Sequence, residues 1–270
     1  MPHSSTSISS PVNPRIKRAV KLRQRSHRDE LGLMIVEGFR EIRRSLDNNH
    51  LPVELFYCEE LFQGPNDEEI VRRCGEAGAS LYSCTASVFG KIAYRDRPEG
   101  LMAVSPQVGT AIEDLQPPPR PLIVVAESIE KPGNLGTVLR SADAAGVYAV
   151  IVCDRCTDVN NPNVVRASIG TLFAIPVIET SSPEALEWLG RHGIRIVAAT
   201  PHAEKLYTDV DFSEGTAIVL GTEQYGLSEA WLQGAETAVK IPMLGQSDSL
   251  NVAAAATILL YEAVRQRMRA

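Results

Sequence analysis

The feature that most constrains the fold is an alternation of apolar runs and helical patterns through the second half of the chain. Six apolar runs have the length of buried strands: PLIVVAES, YAVIVC, FAIPVIE, IRIVAAT, TAIVLG and AVKIPM. Helical patterns separate most of them: NLGTVLRSADAAG, VVRASIG, SPEALEWLGRHG and SEAWLQGA. The final run, SLNVAAAATILLYEAVRQRMR, predicts one long helix. Strands that are apolar on both faces and alternate with helices are typical of a parallel sheet covered on both sides, so we expect an α/β fold.

A segment of low apolar density, 107–120, divides the chain and ends in a proline cluster. Consecutive prolines force an extended backbone that cannot lie inside a sheet. We therefore expect a linker there, between a domain at 13–106 and a domain at 121–270. The runs VELFYCEEL, ASLYSCTA and GLMAVSP, with helical patterns around them, predict that the first domain is a small α/β domain. Residues 1–12 are rich in Ser and carry no Lys or Arg, which predicts a disordered tail.

A run of like charge follows the expected tail. The formal net charge of the chain is −6, so any surface that binds nucleic acid must be local. Asn13 and Pro14 predict the start of a helix, as N-cap and first helical residue. The cations that follow have no acid among them: Arg15, Lys17, Arg18, Lys21, Arg23, Arg25 and Arg28. They could form a solvated helix face, but such a run repels itself unless an anion neutralises it, which favours contact with RNA or DNA phosphate.

The cysteines argue against a disulfide framework. There are five, an odd number, so we expect a reducing compartment and a cytoplasmic location. Cys153 and Cys156 form a CxxC that could be a redox or metal pair. However, one CxxC without a second pair or nearby histidines cannot complete a tetrahedral zinc site, so we expect no metal and a packing role for Cys153. No apolar run approaches the ~20 residues of a membrane span.

Three loops follow strand-like runs, and sites in parallel sheets lie at the carboxyl ends of strands. The first, EKPGNLGTVLR, contains Asn134 and Arg140; the second, IVLGTEQYGLS, contains Glu223. The third, KIPMLGQSDSLNVAAAA, contains Ser249 and Asn251. Each loop has a simpler explanation: Ser249, for example, could only cap the last helix. Together they could form one pocket.

The second and third loops have the composition of a cofactor site. Glycines at 221, 226 and 245 would let a flat ligand approach the backbone, and Ile241, Met243 and Leu250 would supply apolar surface. The first loop is neither a P-loop, because no GK[ST] follows its glycines, nor a G-x-G-x-x-G fingerprint, because its spacing is GNLG. A Rossmann-type dinucleotide enzyme is therefore disfavoured.

At these loops the chain resembles the SpoU (TrmH-type) branch of the SPOUT RNA methyltransferases. The runs KPGNLGTVLRSADAAG, IVLGTEQYGLS and IPMLGQSDSLNVAAAATILLYEA are similar to the three motifs of that family, in order. The earlier run RSHRDELGLMIVEGFREIRRSL is similar to the ribosomal-protein-like RNA-binding domain that precedes the catalytic domain in many members. The resemblance implies S-adenosylmethionine as methyl donor, a ribose 2′-hydroxyl of large-subunit ribosomal RNA as acceptor, a deep trefoil knot and a homodimer.

The resemblance also implies roles for single residues. The cofactor contacts would be Gly221, Ile241 and Leu250, with Thr200 and Met243 as further members.

The resemblance makes Arg140 the candidate that removes the ribose proton. Because a free arginine is an awkward general base, we hypothesise that Arg140 binds the adjacent phosphate and stabilises the developing alkoxide, whether or not it takes the proton. Asn134, Glu223, Ser249 and Asn251 would orient Arg140 and the ribose. Three alternatives stay open: a tRNA substrate, a base-methylating enzyme, and an RNA-binding protein that keeps the cofactor but has lost activity. Housekeeping modification and antibiotic resistance are equally compatible with these residues.

Overall fold

The structure is a computed structural model that describes residues 5–269. It forms two compact units. The first contains the residues up to 108 together with 160–174, and the second contains 109–159 and 175–270. The expected disordered tail falls partly on residues 1–4, which lie outside the described residues.

The first unit is built on a mixed five-stranded sheet with the order β1–β4–β3–β5–β2. Its strands are β1 Thr6–Ile8, β2 Leu33–Glu37, β3 Glu54–Tyr57, β4 Ser80–Cys84 and β5 Leu101–Pro106. Its first five helices are α1 Pro14–Lys21, α2 Arg25–Leu31, α3 Phe39–Asp47, α4 Asn66–Glu76 and α5 Ala86–Ile92. Strands β1, β4 and β3 run parallel, and β5 is antiparallel to both β3 and β2. The expected small α/β domain is present.

Two local features of this unit bear on what the sequence predicts, namely the cap of α1 and the order of the N-terminal tail. Asn13 caps α1 as expected: its side chain accepts a hydrogen bond from the Arg15 N–H at 2.9 Å, and Pro14 is the first helical residue. In contrast, part of the tail that we expected to be disordered is ordered. Strand β1 pairs in parallel with β4, and Ile8 is only 3% exposed in the core of this unit. One buried apolar side chain and an available sheet edge are enough to order this segment.

The second unit contains a seven-stranded sheet in which every strand is parallel, in the order β10–β12–β9–β11–β6–β7–β8. Its strands are β6 Leu122–Glu127, β7 Ala149–Cys153, β8 Val177–Thr180, β9 Arg195–Ala199, β10 Lys205–Leu206, β11 Thr216–Leu220 and β12 Thr237–Lys240. The remaining helices are α6 Pro132–Ala144, α7 Pro162–Ser168, α8 Ser182–Arg191, α9 Glu229–Gly234 and α10 Val252–Arg267. The predicted parallel sheet is confirmed, and the short strand β10 is an addition to it.

The central strands are buried on both faces, as their continuous apolar character predicts. In β6, Ile123 and Val125 belong to one core cluster with Trp188 of α8 and Trp231 of α9. The alternate residues of β6 are also buried and face the opposite side of the sheet. The α8–α9 pair therefore covers one face. On the other side, α10 packs against α6 and β11.

The expected linker is not a free connection. Residues Ile112–Asp114 form a short 3₁₀ turn, and Ile112 and Leu115 are 6% and 3% exposed within the core cluster of the second unit. Residues three apart lie on the same side of a 3₁₀ helix, so both side chains reach the core. Because few apolar residues surround Ile112 and Leu115 in the sequence, their burial was not predicted from it.

Helix α7 lies between β7 and β8 in the chain but belongs to the first unit. It packs on β2, and its Val164 and Val165 are buried. The sequence correctly predicts a helix at VVRASIG but places it among the helices of the second domain. The chain therefore passes between the units three times, after residues 108, 159 and 174.

Candidate active site

The three loops that the sequence singled out meet at one edge of the seven-stranded sheet. They follow β6, β11 and β12. Because all strands of this sheet are parallel, their carboxyl ends share an edge, and β11 is the immediate neighbour of β6. The parallel topology is thus what brings residues from positions 131 to 251 of the chain together.

Glu223 is the centre of a polar network that joins the loops. Its carboxylate accepts hydrogen bonds from the Lys131 ammonium and the Asn134 amide. The Nδ2 atom of Asn251 donates to Glu223 Oε1 and to Asn134 Oδ1, both at 3.1 Å. Each of the three loops therefore contributes at least one side chain to the network, and each side chain fixes the orientation of another.

The network holds Glu223 as a carboxylate. The hydrogen bond and charge of Lys131 lower the pKa of Glu223 below its usual value, and the hydrogen bond from Asn134 acts in the same direction. Reciprocally, Glu223 raises the pKa of Lys131. An ionised Glu223 can only accept hydrogen bonds, so it forces Asn134 and Asn251 to present their amide N–H groups to it.

The N-terminal ends of two helices position two of these side chains. Helix α6 begins at Pro132, so Asn134 lies in its first turn, where backbone N–H groups have no helical partners. Asn251 is the N-cap of α10, and its Oδ1 accepts from the Ala253 N–H at 3.0 Å. The structure thus corrects the suggestion that Ser249 caps this helix: Ser249 precedes the cap and is exposed. Ser141 and Thr257 connect α6 to α10 through their hydroxyls at 2.7 Å.

A cavity of 420 Å³ lies beside the network. All five residues expected to contact a cofactor line it: Thr200, Gly221, Ile241, Met243 and Leu250. Glu223 and Ser249 also line it, whereas Asn134 and Asn251 reach it through Glu223. The volume falls within the usual range for small-molecule sites, and the lining combines apolar side chains with a few polar groups.

The glycines of the second loop serve the backbone turn itself. A Cβ atom added at Gly221 would lie 2.3 Å from the carbonyl oxygen of Gly226, too close for any real contact. Gly226 has a φ of +70°, which favours glycine. Thr222 and Gly226 close the turn with two backbone hydrogen bonds of 3.0 and 3.1 Å. By contrast, nothing lies within 4 Å of a Cβ at Gly245. The turn, more than a ligand, therefore explains Gly221 and Gly226.

Arg140 is separate from the cavity of its own chain. It lies on the exposed side of α6, together with Thr137 and Ala144. It does not line the cavity, and no residue in 5–269 forms an ion pair with it. The structure therefore brings together four of the five expected catalytic residues around the cavity and leaves the Arg140 guanidinium open to an external partner.

Sequence reasoning missed Lys131, which stands in the quoted first loop only three residues before Asn134. It also missed His202, which lines the cavity from the segment after β9. For both, the available signal was the position after a strand of a parallel sheet, which they share with Thr200.

Most arginines of the basic run have partners within the first unit. Arg28 is 1% exposed, and its guanidinium donates to the backbone carbonyls of Leu22 and Arg23 at 2.9 Å. Arg23 donates to three carbonyls, among them that of Ala93 at 2.6 Å. These two arginines stabilise the fold, which corrects their assignment as phosphate contacts.

The other members of the run differ in accessibility. Arg18 pairs with Glu54, the Arg15 Nε donates to the Tyr82 hydroxyl at 2.8 Å, and Arg25 lies 3.4 Å from Asp29. Lys17 and Lys21 are exposed, and no residue in 5–269 forms an ion pair with them. The accessible positive charge of this run is therefore smaller than the sequence indicates.

The cysteine pair does not form a matched redox site. Cys153 is buried at the end of β7, and burial raises the pKa of its thiol to about 12. Cys156 is exposed. Within residues 5–269 no group of three or more His, Cys, Asp or Glu side chains is arranged to hold a metal ion. In the same range no helix has the length and apolar character needed to cross a membrane.

Comparison with known proteins places these features in a family. The model of the SpoU rRNA Methylase family matches residues 121–261. The model of the MRM3-like substrate binding domain matches residues 13–103.

Individual relatives agree with this assignment. A 23S rRNA (uridine(2479)-2′-O)-methyltransferase of Streptomyces viridochromogenes is 42% identical over 143 residues, which are 51% of this chain and 50% of that relative. A crystal structure of an RNA 2′-O ribose methyltransferase is 41% identical, with a TM-score of 0.86 over 97% of this chain and 100% of that one. The AdoMet-bound rRNA methyltransferase of Sinorhizobium meliloti is 30% identical, with a TM-score of 0.89 over 97% and 98% of the two chains.

Proposed function

Because the chain belongs to the SpoU rRNA methylase family, we propose that it transfers a methyl group from S-adenosylmethionine to a ribose 2′-hydroxyl of large-subunit ribosomal RNA. One observation carries the proposal: Glu223, Asn134 and Asn251 connect three distant loops beside a cavity lined by Gly221 and Leu250. A polar cluster next to a small-molecule cavity provides what methyl transfer requires, namely a donor pocket and an oriented acceptor site.

The cavity fits the donor in size and chemistry. Ile241, Leu250 and Leu259 supply apolar surface for a flat ring, while Thr200 and the backbone at Gly221 offer polar contacts. When bound, S-adenosylmethionine supplies an already activated methyl group. The protein then has to orient the acceptor and stabilise charge. We assign donor binding to the five lining residues named above.

The network and Arg140 bind and orient the ribose that accepts the methyl group. Glu223 fixes the amide groups of Asn134 and Asn251, which orient the ribose. Arg140 binds the adjacent phosphate and stabilises the negative charge that develops on the ribose oxygen, whose proton passes to water as the sulfonium donor becomes a neutral thioether. A guanidinium in general suits electrostatic stabilisation better than proton abstraction.

Substitution of Arg140 by Ala tests this role. The Arg140→Ala protein should lose methyl transfer while calorimetry shows a nearly unchanged affinity for S-adenosylmethionine. Turnover near the normal rate would exclude Arg140 from the reaction.

The reaction itself is tested with unmodified 23S rRNA and radiolabelled S-adenosylmethionine. Incorporated label should resist alkaline hydrolysis at the modified nucleotide, because a 2′-O-methyl group removes the hydroxyl that cleaves the chain. Label that leaves the nucleotide susceptible would indicate base methylation. Label in unmodified tRNA alone would indicate a tRNA enzyme. Absence of any transfer despite donor binding would identify an inactive cofactor-binding protein.

We further propose that the protein acts as a cytoplasmic homodimer. Several apolar side chains near the cavity and on α10 are exposed: Tyr225 is 78%, Leu244 96% and Tyr261 49% exposed. A second copy of the chain would cover these side chains. Light scattering on the purified protein should give twice the mass of 29.4 kDa; a monomer at micromolar concentration would exclude this assembly.

The trefoil knot is part of the same proposal. Strand β12 lies beyond β9 on one side of β11, whereas the following helix α10 packs on α6. A chain that returned across the loop after β11 to reach α6 would follow the path that a knot requires. In this proposal the first unit, which includes α7, binds RNA, and the second unit binds the donor.

A further inference from the structure

A groove of 880 Å³ lies in the first unit and is not used by the proposed chemistry. It is lined by the first turns of α3 and α4, the segment Arg95–Glu99, and the end of α7. All of these elements belong to the first unit, including α7, which enters it from between β7 and β8.

Three exposed arginines surround this groove: Arg40, Arg97 and Arg166. No residue in the described range 5–269 forms an ion pair with any of them. They come from three separate elements, so the fold, and not a local charge run, brings them together. The positive ends of the α3 and α4 dipoles lie at the same groove, and the negative end of the short helix α7 opposes them.

Three of the four carboxylates of the lining have hydrogen-bonding or ion-pair partners within the first unit. Glu41 and Glu99 each bind the Arg95 guanidinium at 2.6 Å. Asp67 accepts hydrogen bonds from the backbone N–H groups of Gln63 and Gly64, at 2.7 and 3.0 Å. Only Asp96 is an exposed acid of the groove without such a partner among the described residues. The lining as a whole carries four arginines and four carboxylates, but its three exposed arginines, which have no ion-pair partner among the described residues, face one exposed carboxylate, Asp96.

The arginines of the α1–α2 run differ from these three, although Lys17 and Lys21 of that run are also exposed without an ion-pair partner among residues 5–269. There, Arg18 and Arg25 have acidic partners, and Arg23 and Arg28 are engaged with backbone carbonyls. An arginine that already has a partner must give it up to bind phosphate, whereas an unpaired arginine binds phosphate with no such loss.

We propose that this groove, through Arg40, Arg97 and Arg166, is the surface of the first unit that binds the phosphodiester backbone of the RNA substrate. The proposal rests on the proposed function, since it assumes that the substrate is RNA. The groove provides position and affinity, and the arginines contact consecutive phosphates without reading base sequence.

The test measures RNA binding without methyl transfer. Radiolabelled, unmodified 23S rRNA is bound to the full chain in a filter assay over a series of KCl concentrations. Two triple variants remove the same charge: Arg40→Ala/Arg97→Ala/Arg166→Ala in the groove, and Lys17→Ala/Lys21→Ala/Lys91→Ala on exposed positions of α1 and α5. Circular dichroism and thermal unfolding first establish whether both variants are folded.

The groove variant should bind at least about tenfold more weakly, and its slope of log Kobs against log salt should fall by about 2, since each phosphate contact contributes about 0.7 on single strands. The lysine variant should weaken binding by at most about threefold. A third variant with Lys in place of the three arginines should retain the slope, because it retains the charges.

Three outcomes would overturn the proposal: equal losses in both alanine variants, a loss in the lysine variant only, or no loss in either. If the groove variant fails to fold, Arg40→Gln/Arg97→Gln/Arg166→Gln takes its place with the same expected losses of affinity and slope. An Arg→Lys variant that unfolds like the wild-type protein but loses the slope would also refute the assignment. A protein that binds RNA through the groove but transfers no methyl group refutes only the proposed function. Calorimetry then shows whether that protein still binds the donor.

Discussion

Replacement of Gly221 by Ala tests whether the turn after β11 forms the donor pocket. The new Cβ would lie 2.3 Å from the Gly226 oxygen and 2.5 Å from the Leu227 nitrogen. To restore an ordinary contact of about 3.5 Å, the turn has to shift by roughly 1 Å. Both neighbours are backbone atoms, and the Gly226 oxygen also accepts the 3.0 Å hydrogen bond from Thr222 that closes the turn. No side-chain rotation can relieve the clash.

The expected loss follows from this geometry. Overpacking of this kind costs about 1–3 kcal/mol, which corresponds to a fall in Tm of roughly 2–12 °C for an unfolding unit of this size. The affinity for S-adenosylmethionine, measured by isothermal titration calorimetry, should fall by at least about tenfold, because Gly221 lines the cavity.

Gly190→Ala is the matched control. Gly190 is exposed within α8, and nothing lies within 4 Å of its added Cβ. This substitution should stabilise the protein by about 0.5–1 kcal/mol and leave donor binding unchanged. A Gly221→Ala protein with wild-type Tm and donor affinity would refute the reasoning. A lower Tm with unchanged affinity would show that the turn stabilises the fold without forming the donor pocket.

The remaining predictions concern the network, the fold and the thiols. Asn251→Asp should keep the N-cap and hence Tm. It should reduce kcat, because it removes the amide donor and places a second carboxylate beside Glu223. Asn251→Ala should also lower the free energy of thermal unfolding by about 1 kcal/mol. Lys131→Met removes the group that lowers the pKa of Glu223, and the pKa of Glu223 therefore rises. The acid limb of the pH profile of kcat/KM should then move to higher pH. An unmoved limb would exclude Glu223 as the titrating group. Arg267→Ala removes hydrogen bonds to the carbonyls of Phe212, Arg120 and Glu214 at 2.8, 2.8 and 2.6 Å, and urea unfolding should show a loss of about 2–3 kcal/mol. A thiol reagent at neutral pH should label Cys156 alone in the native protein, because the other four cysteines are buried; rapid labelling of Cys153 would contradict the structure.

The sequence predicted those features that depend on local pattern or on sheet topology. Near-continuous apolar runs identified a parallel sheet, and parallel strands must end at one edge, so the convergence of the Asn134, Glu223 and Asn251 loops was predictable without coordinates. The cap at Asn13 was predictable because it needs only neighbouring residues.

Features that depend on distant partners were not predictable. The three residues of β1 are ordered by pairing with β4, more than seventy positions away. Arg23 and Arg28 lie in a charge run that reads as surface, and only the folded chain places carbonyl groups around their guanidinium groups. The groove arginines come from three segments that no sequence pattern connects.

The three passages of the chain between the units have a consequence for modularity. A domain joined by a single linker can be exchanged between proteins by one recombination event. Here α7 is encoded within the donor-binding half, yet its Val164 and Val165 are buried against the first unit, beside β2. A graft at the linker alone would pair α7 with a foreign sheet and leave both valines without a fitting surface. Exchange of the first unit between proteins would therefore have to carry α7 with it, together with the β2 surface on which α7 packs.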